Sequence, residues 1–412
     1  MCNECPAPKL PRKNRKKTTR TASADPCVCA TEQGEVAPLE SIANNVATFN
    51  SLPQKSERLS AKGVYTVRGR IAKTLSVIKK EKIDRNTGEV RQAHHYRTCT
   101  CSNVIGQQAS LMHTTNGKVD AHKYIGLETC SSVWLCPVCS TKIGRYRAGE
   151  INNALETLVG LGYKPFLVTV TISHKKHTRL ADSLSTVKES LRYLTRHRRY
   201  KELLKDSLYI SVTEITRSVE FGNGWHPHQH RLLFLPPGNT ATAQEIKDVV
   251  FDITNDFYNK NGFSMSYERG VDVKESFTKA EYLTKFGYES NWRAGQELTL
   301  NVYKPNHPFS VAESEPEAFL EYAEATFDER QITGTTAKIR KLIPSYLKKT
   351  DKQIAEEESE DFVQTPVISF NRQEWRKLQK AEVLDKLLLK AKESRKDAYE
   401  GLYSLVELVL RA

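Results

Sequence analysis

The sequence predicts an α+β fold, with one mostly antiparallel sheet whose one face is covered by helices. Three observations carry that expectation. The order of elements after residue 140 runs strand, helix, hairpin, helix, strand, helix. The stretch Trp225–Leu235, WHPHQHRLLFL, alternates at period two and continues into an apolar run, as a strand does. No window approaches the ~18 consecutive apolar residues of a membrane span, so a membrane protein is not expected.

Residues 1–60 combine a basic run (Lys9, Arg12, Lys13, Arg15, Lys16, Lys17, Arg20) with little hydrophobic periodicity, which predicts a disordered tail. Residues 61–145 are cysteine-rich, and their segments 64–80 and 90–101 suit short strands or a helix around the cysteines. From Thr141 a helical stripe takes over, with Ile143, Ile151, Leu155, Leu158 and Val159 on one side and Gly160 and Gly162 as stops. Residues 166–173, FLVTVTIS, read as a strand and 183–205 as a helix with Leu184, Val187, Leu191 and Leu194 inward. A second strand, 208–216, joins the histidine strand through a glycine-containing turn, forming a hairpin. A helix over 242–260, a strand over 264–273 and a short helix over 278–286 follow. These elements make a domain of residues 146–345. Residues 346–412 form an acidic linker and a helical tail, which either self-associates in a homodimer or packs back on the core.

The chain of 412 residues carries 62 Lys and Arg against 49 Asp and Glu, a net charge of +13 and a pI near 9.2. That balance favours a polyanionic partner such as nucleic acid. The first residues lack the apolar segment of a signal peptide, so a cytoplasmic location is expected. Nine cysteines there suggest metal rather than disulfides. Cys136-Pro-Val-Cys139 is a tight knuckle, and with Cys130 it supplies three thiolates of a structural zinc site. Cys101 completes the set of four, with Cys99 as the alternative and His113 or His122 as weaker ones.

On a strand His226, His228 and His230 project from one face. With the turn centred near residue 221, Glu214 lies across the ladder from His228. Two imidazoles and a carboxylate form a three-ligand site suited to Mg²⁺ or Mn²⁺, with zinc as an alternative. His226 is a third ligand, a supporting group or simply the start of the strand. The bland reading is a histidine-rich surface strand. Downstream, Tyr282 and Lys285 stand three apart, where a helix places them on one face.

His-Pro-His-x-His before an apolar strand, an earlier strand ending Val168-Thr169-Val170-Thr171 and a later Tyr-x-x-Lys together resemble the HUH endonucleases. The Cys-Pro-x-Cys knuckle and the Gly-Trp-His-Pro-His wording resemble, within them, the replication initiators of rolling-circle plasmids. The resemblance runs from Cys99 to Leu342 and includes Gln331–Gly334. It implies a ferredoxin-like or RRM-like nuclease fold and a site-specific, one-tyrosine nicking and joining enzyme acting at a plasmid double-strand origin. By position, Tyr282 is implied as the nucleophile, Lys285 as the group orienting the scissile phosphate, and His228 and His230 as ligands of a catalytic divalent ion. The products implied are a 5′-phosphotyrosyl link and a free 3′-OH primer, with a host helicase and polymerase as partners.

DNA contacts are expected from Thr169 and Thr171 of the first motif. Trp225 could stack on an unpaired base or pack the turn, and Arg196 and Arg199 suit phosphates. Two departures from the family pattern stand out. Gln229 replaces an apolar residue between the metal histidines, and Thr278 occupies the position where related initiators often carry a water-activating glutamate. Glu281 and Glu275 are the substitutes, and Tyr288, six residues after Tyr282, falls off the same helix face. The competing readings are an HUH transposase or relaxase, and a non-catalytic zinc-dependent DNA-binding regulator.

Overall fold

The computed structural model describes residues 63–411 except 79, 84–89, 95, 116–119, 218–223, 276–298, 300–305, 358–362 and 395–398. Along the chain come helix α1 (Val64–Leu75), strands β1 (Lys80–Ile83), β2 (Val90–His94), β3 (Gln108–Thr115) and β4 (Asp120–Ile125), then α2 (Pro137–Gly160) and β5 (Lys164–Thr171). Next are α3 (Leu180–Arg196), β6 (Leu208–Arg217), β7 (Trp225–Leu235), α4 (Ala243–Lys260), β8 (Val271–Glu275), α5 (Pro316–Ala325) and β9 (Ile332–Thr335). The C-terminal part supplies β10 (Val363–Asn371), α6 (Arg372–Lys380), α7 (Leu384–Glu393) and α8 (Glu400–Arg411). The molecule is α+β, and among the described residues all strand pairs are antiparallel.

The central sheet has the order β8-β5-β7-β6-β9. Alternation sorts its side chains onto two faces. Phe166, Val168 and Val170 of β5 with Leu233 and Leu235 of β7 pack against Val187, Leu191 and Leu194 of α3 and Ile246, Val250 and Ile253 of α4. The opposite face carries Leu208, Ile210 and Val212 of β6 with Leu232 and Phe234 of β7. Ile151, Ala154 and Leu158 of α2 cover these, beside Ile339 and Ile343. Thus α2 shields the apolar half of the histidine face, and the polar half continues beyond it.

Local signals explain most boundaries. Pro137 opens α2 at its first position, where a missing N–H is harmless. Thr242 and Glu245 cap α4 reciprocally. Several boundaries differ from expectation, beginning with α2, which starts at Pro137 rather than Thr141. The helix expected over 183–205 breaks at His197, whose backbone is extended, and resumes at Arg198–Leu203. The strand expected over 264–273 begins only at Val271, because the Ser266 hydroxyl accepts from the Arg269 N–H and caps a helical turn, Tyr267–Gly270.

The C-terminal segment packs back on the cysteine-rich region. Strand β10 pairs with β3 to give the order β10-β3-β4. Trp375 of α6 is buried edge-on to Tyr124, centroids 5.0 Å apart, and its Nε1 donates to the Ser102 carbonyl at 2.8 Å. Asp385 of α7 caps α1 by accepting from the N–H groups of Tyr65 and Thr66 at 3.1 and 2.8 Å.

Candidate metal centres and active site

The Cys-Pro-Val-Cys stretch straddles the start of α2, with Cys136 as its N-cap and Cys139 in its first turn. A helix N-terminus favours negative charge, so thiolates are at home there. Cys101 arrives on a turn ending at Ser102, and Cys130 precedes Ser131; both serines hold positive φ, +63° and +58°. The Sγ separations are 3.5 Å for Cys136–Cys101, 3.7 Å for Cys101–Cys139 and 3.8 Å for Cys130–Cys139. Four sulfurs held ~2.3 Å from one tetrahedral zinc stand about 3.8 Å apart, so the spacing fits. All four cysteines are buried. Hydrogen bonds from Cys130 and Cys136 draw the Cys101 thiol down, while burial pushes the Cys136 thiol up.

Cys99 stands apart, partly exposed and donating to the Ala72 carbonyl. His113 and His122 face one another across β3 and β4, and His122 meets the Tyr399 hydroxyl at 3.2 Å. The fourth position of the set is therefore Cys101. Cys2, Cys5, Cys27 and Cys29 lie outside the described residues.

The second cluster comes from register. Glu214 lies directly opposite His228, and Thr169 and Thr171 lie opposite His230 and His228. One carboxylate oxygen, Glu214 Oε2, sits 3.0 Å from His228 Nε2 and 2.9 Å from His230 Nε2. The far ring nitrogens are engaged elsewhere. His228 Nδ1 faces the His226 carbonyl at 3.3 Å, and His230 Nδ1 faces Thr169 Oγ1 at 3.0 Å. A carbonyl only accepts, so His228 carries its proton on Nδ1 and turns Nε2 toward the carboxylate. Nitrogen and oxygen so placed need a proton or a cation between them. Neighbouring ligands at ~2.1 Å from an octahedral ion lie about 3.0 Å apart, which matches both contacts.

The site is recessed rather than laid on an open surface. Glu214 is 3 % exposed, and the His228 and His230 side chains are 14 % and 13 % exposed. Side chains from both flanking strands stand around them. His226 lies outside the trio; its Nε2 meets the Thr171 hydroxyl and its ring stacks on His174, centroids 5.0 Å apart. Burial holds its pKa well below the usual imidazole value, with His228 and His174 adding to the effect.

A family profile described as "Replication protein" matches residues 123–383, more than half of the chain. The chain belongs to this replication-protein family. It is 30% identical over 155 residues to "Protein rep" of Streptomyces lividans, covering 31% of this chain and 33% of the relative. It is 28% identical over 138 residues to "Neomycin resistance protein" of Streptomyces cyanogenus, covering 27% and 31%. The chain thus spans about a third of the length of the curated relatives it matches. No solved structure matches.

Within this replication-family chain the remaining expected site residues fall in different places. Trp225 is not an exposed stacking platform: it is 2 % exposed, stacked on Tyr322 at 5.2 Å and donating from Nε1 to Glu321 at 3.0 Å. Its strand parity is opposite to that of the histidines, which turns it into the apolar layer. The hydroxyls of Thr169 and Thr171 meet His230 Nδ1 and His226 Nε2. Arg196 and Arg199 ride on the layer behind the sheet, away from the histidine face, and Arg199 pairs with Asp252 at 3.0 Å. Gln229 also points to that hidden face, where its amide donates to Thr213 at 2.9 Å.

Glu275 does not reach the site. It lies opposite Phe166, at the end of β5 remote from Thr171, and pairs with Lys164. Tyr282, Lys285, Thr278, Glu281 and Tyr288 lie outside the described residues. Two neighbours of this face were not singled out from the sequence, Asp272, which pairs with Lys274 at 2.9 Å, and His174. Asp272 lies opposite Thr169 on the same side of the sheet, a placement that only the β5–β8 register reveals. His174 follows the end of β5 and has no periodic signal.

Proposed function

We propose that this chain is a rolling-circle plasmid replication initiator that nicks a double-strand origin and later rejoins the strand. The observation that carries the reading is the single Glu214 oxygen shared by two imidazole Nε2 atoms, in a chain of the replication-protein family. A divalent cation, Mg²⁺ or Mn²⁺, held by Glu214, His228 and His230 would supply Lewis acidity at a non-bridging oxygen of the scissile phosphate.

The chain's own residues do the rest. Thr169 and the His226 carbonyl orient His230 and His228 by engaging their Nδ1 atoms, so both Nε2 atoms converge on Glu214. The recessed walls exclude bulk water and strengthen the electrostatics of the site. Tyr282 is the nucleophile. Its phenolic oxygen loses a proton and bonds to phosphorus, the P–O3′ bond breaks, and the departing oxygen takes up a proton as the 3′-hydroxyl primer. The 5′-phosphate stays on Tyr282 as a phosphotyrosyl ester, and attack by a 3′-hydroxyl on that ester rejoins the strand. Lys285 orients the phosphate, and origin DNA, a host helicase and a polymerase are the partners. The four cysteines hold a structural zinc ion.

Mass spectrometry of the full chain incubated with single-stranded origin DNA and Mg²⁺ or Mn²⁺ tests this. The expected adduct maps to Tyr282, and Tyr282→Phe abolishes it while origin binding persists. An adduct on the Phe variant names a different nucleophile. No adduct from the unaltered chain on any origin strand leaves a zinc-dependent DNA-binding regulator as the better reading.

A further inference from the structure

A cleft of about 930 Å³ lies between α1, the start of α5 and the connection from α6 to α7, in a part of the fold that the nicking reading does not use. Its walls carry Arg68, Arg70, Lys73, Arg376 and Lys380 against two carboxylates, Glu313 and Glu382. Arg70 occupies both carboxylates, at 2.6 Å and 2.9 Å. The other four cations have no ion pair among the described residues.

Arg68 is the most telling of them. It is 5 % exposed, and its Nε is buried with no hydrogen-bond partner among the described residues. A guanidinium does not shed its charge, so burying it with an unsatisfied N–H is unfavourable unless an anion joins it. Beside it, Gly69 sits in mid-helix, where glycine is a poor choice. A Cβ built there meets nothing within 4 Å, so α1 turns bare backbone toward open space.

We infer that this cleft binds the phosphodiester backbone of DNA, at a second place in addition to the histidine strand. A planar guanidinium fork suits paired phosphate oxygens, and the exposed Lys73, Arg376 and Lys380 suit the continuation of a polyanion at the rim. A free nucleotide is a poorer fit. Tyr65 is the one aromatic ring among the lining residues, and it packs edge-on against Tyr124 rather than offering its face. Helix α5 ties the cleft to the active strand. Pro316 and Leu320 line the cleft, while Glu321 and Tyr322 hold Trp225, one residue before His226.

This inference rests on the reading of the chain as a DNA-nicking protein, so its test reads binding separately from cleavage. Full-length protein is titrated with a duplex oligonucleotide over a range of salt concentrations. The triple variant Lys73→Gln, Arg376→Gln, Lys380→Gln is expected to lower the slope of log affinity against log salt by about 3 and to weaken binding at least about tenfold. Cleavage of a short single-stranded oligonucleotide should stay within about twofold, since none of the three is in the nicking site. Gly69→Gln, which fills the cleft without changing charge and favours the helix, is expected to weaken duplex binding as well. Unchanged affinity and slope in both variants overturn the inference. Tight ATP binding that both variants lose, with duplex binding unchanged, assigns the cleft to free nucleotides and overturns it too. A reduced slope in a protein that forms no covalent adduct upholds the cleft and removes the nicking reading.

Discussion

The four cysteines and the Glu214–His228–His230 trio each place their ligand atoms around a single point, yet by opposite means. The sulfurs come from turns before β3 and α2 and from the first turn of α2, and they close on themselves with all four positions filled by protein. The nitrogen and oxygen atoms come from two adjacent strands in strict register and supply only three ligands. A closed set of thiolates suits an ion that holds loops together, because those loops have little other reason to meet. An incomplete set on a rigid sheet suits an ion that meets substrate, because the sheet forms without it.

That contrast can be broken or sharpened by experiment. The largest effect is expected at the cysteines. Cys136→Ala should unfold the region around residues 99–145, because ion binding by such a site is worth about 10 kcal/mol of folding free energy. Circular dichroism and proteolysis would show it, and a strong chelator should act likewise. If Cys136→Ala melts like the unaltered protein, the cysteines are ordinary core thiols.

The next effect concerns activity alone. Glu214→Gln is expected to lower strand cleavage by on the order of a thousandfold, several kcal/mol of barrier, while the thermal melt moves little. Stripping the weaker ion should reproduce that loss in a folded protein. Equal unfolding by both treatments would erase the distinction between the two centres. Thr169→Val leaves the ligands in place and removes only the group facing His230 Nδ1. It should weaken metal activation by about 10- to 100-fold, read as the Mn²⁺ concentration giving half-maximal cleavage. The smallest effect is expected from Trp225→Phe, which removes the bond to Glu321 and keeps most of the stacking. About 1 kcal/mol of stability should be lost, measured by denaturant midpoint, with cleavage of single-stranded DNA unchanged. A large loss of DNA affinity would instead restore the stacking role for this tryptophan.

Legibility followed the range of the interactions. The alternation of His226, His228 and His230 and the parity of Glu214 are strand properties, so the trio could be read before any fold was known. Cys136-Pro-Val-Cys139 was legible because two thiols three residues apart on one tight turn can grip one ion, although the helix start at Pro137 was placed four residues late. Cys101 was preferred with Cys99 kept as the alternative, and packing decides between them, since two residues in one turn differ only in which way that turn faces. The choice between stacking on a base and packing was open for Trp225 because its apolar partner, Tyr322, lies almost one hundred residues away. The arginines of 192–201 suited phosphates by composition, but the side of the sheet that a helix covers is a matter of packing.

By itself, then, the amino-acid order determined the periodicities: which residues share a strand face, where a helix can start, and which side chains can ligate an ion. Tertiary structure alone decided which of those faces meet. It recessed the histidines between flanking strands, joined β10 to β3 across some 250 residues of chain, and left Arg68 buried in a cleft that three remote segments create. The physical reason is that local backbone preference acts over a few residues, whereas burial and charge pairing act between whatever surfaces the folded chain brings together.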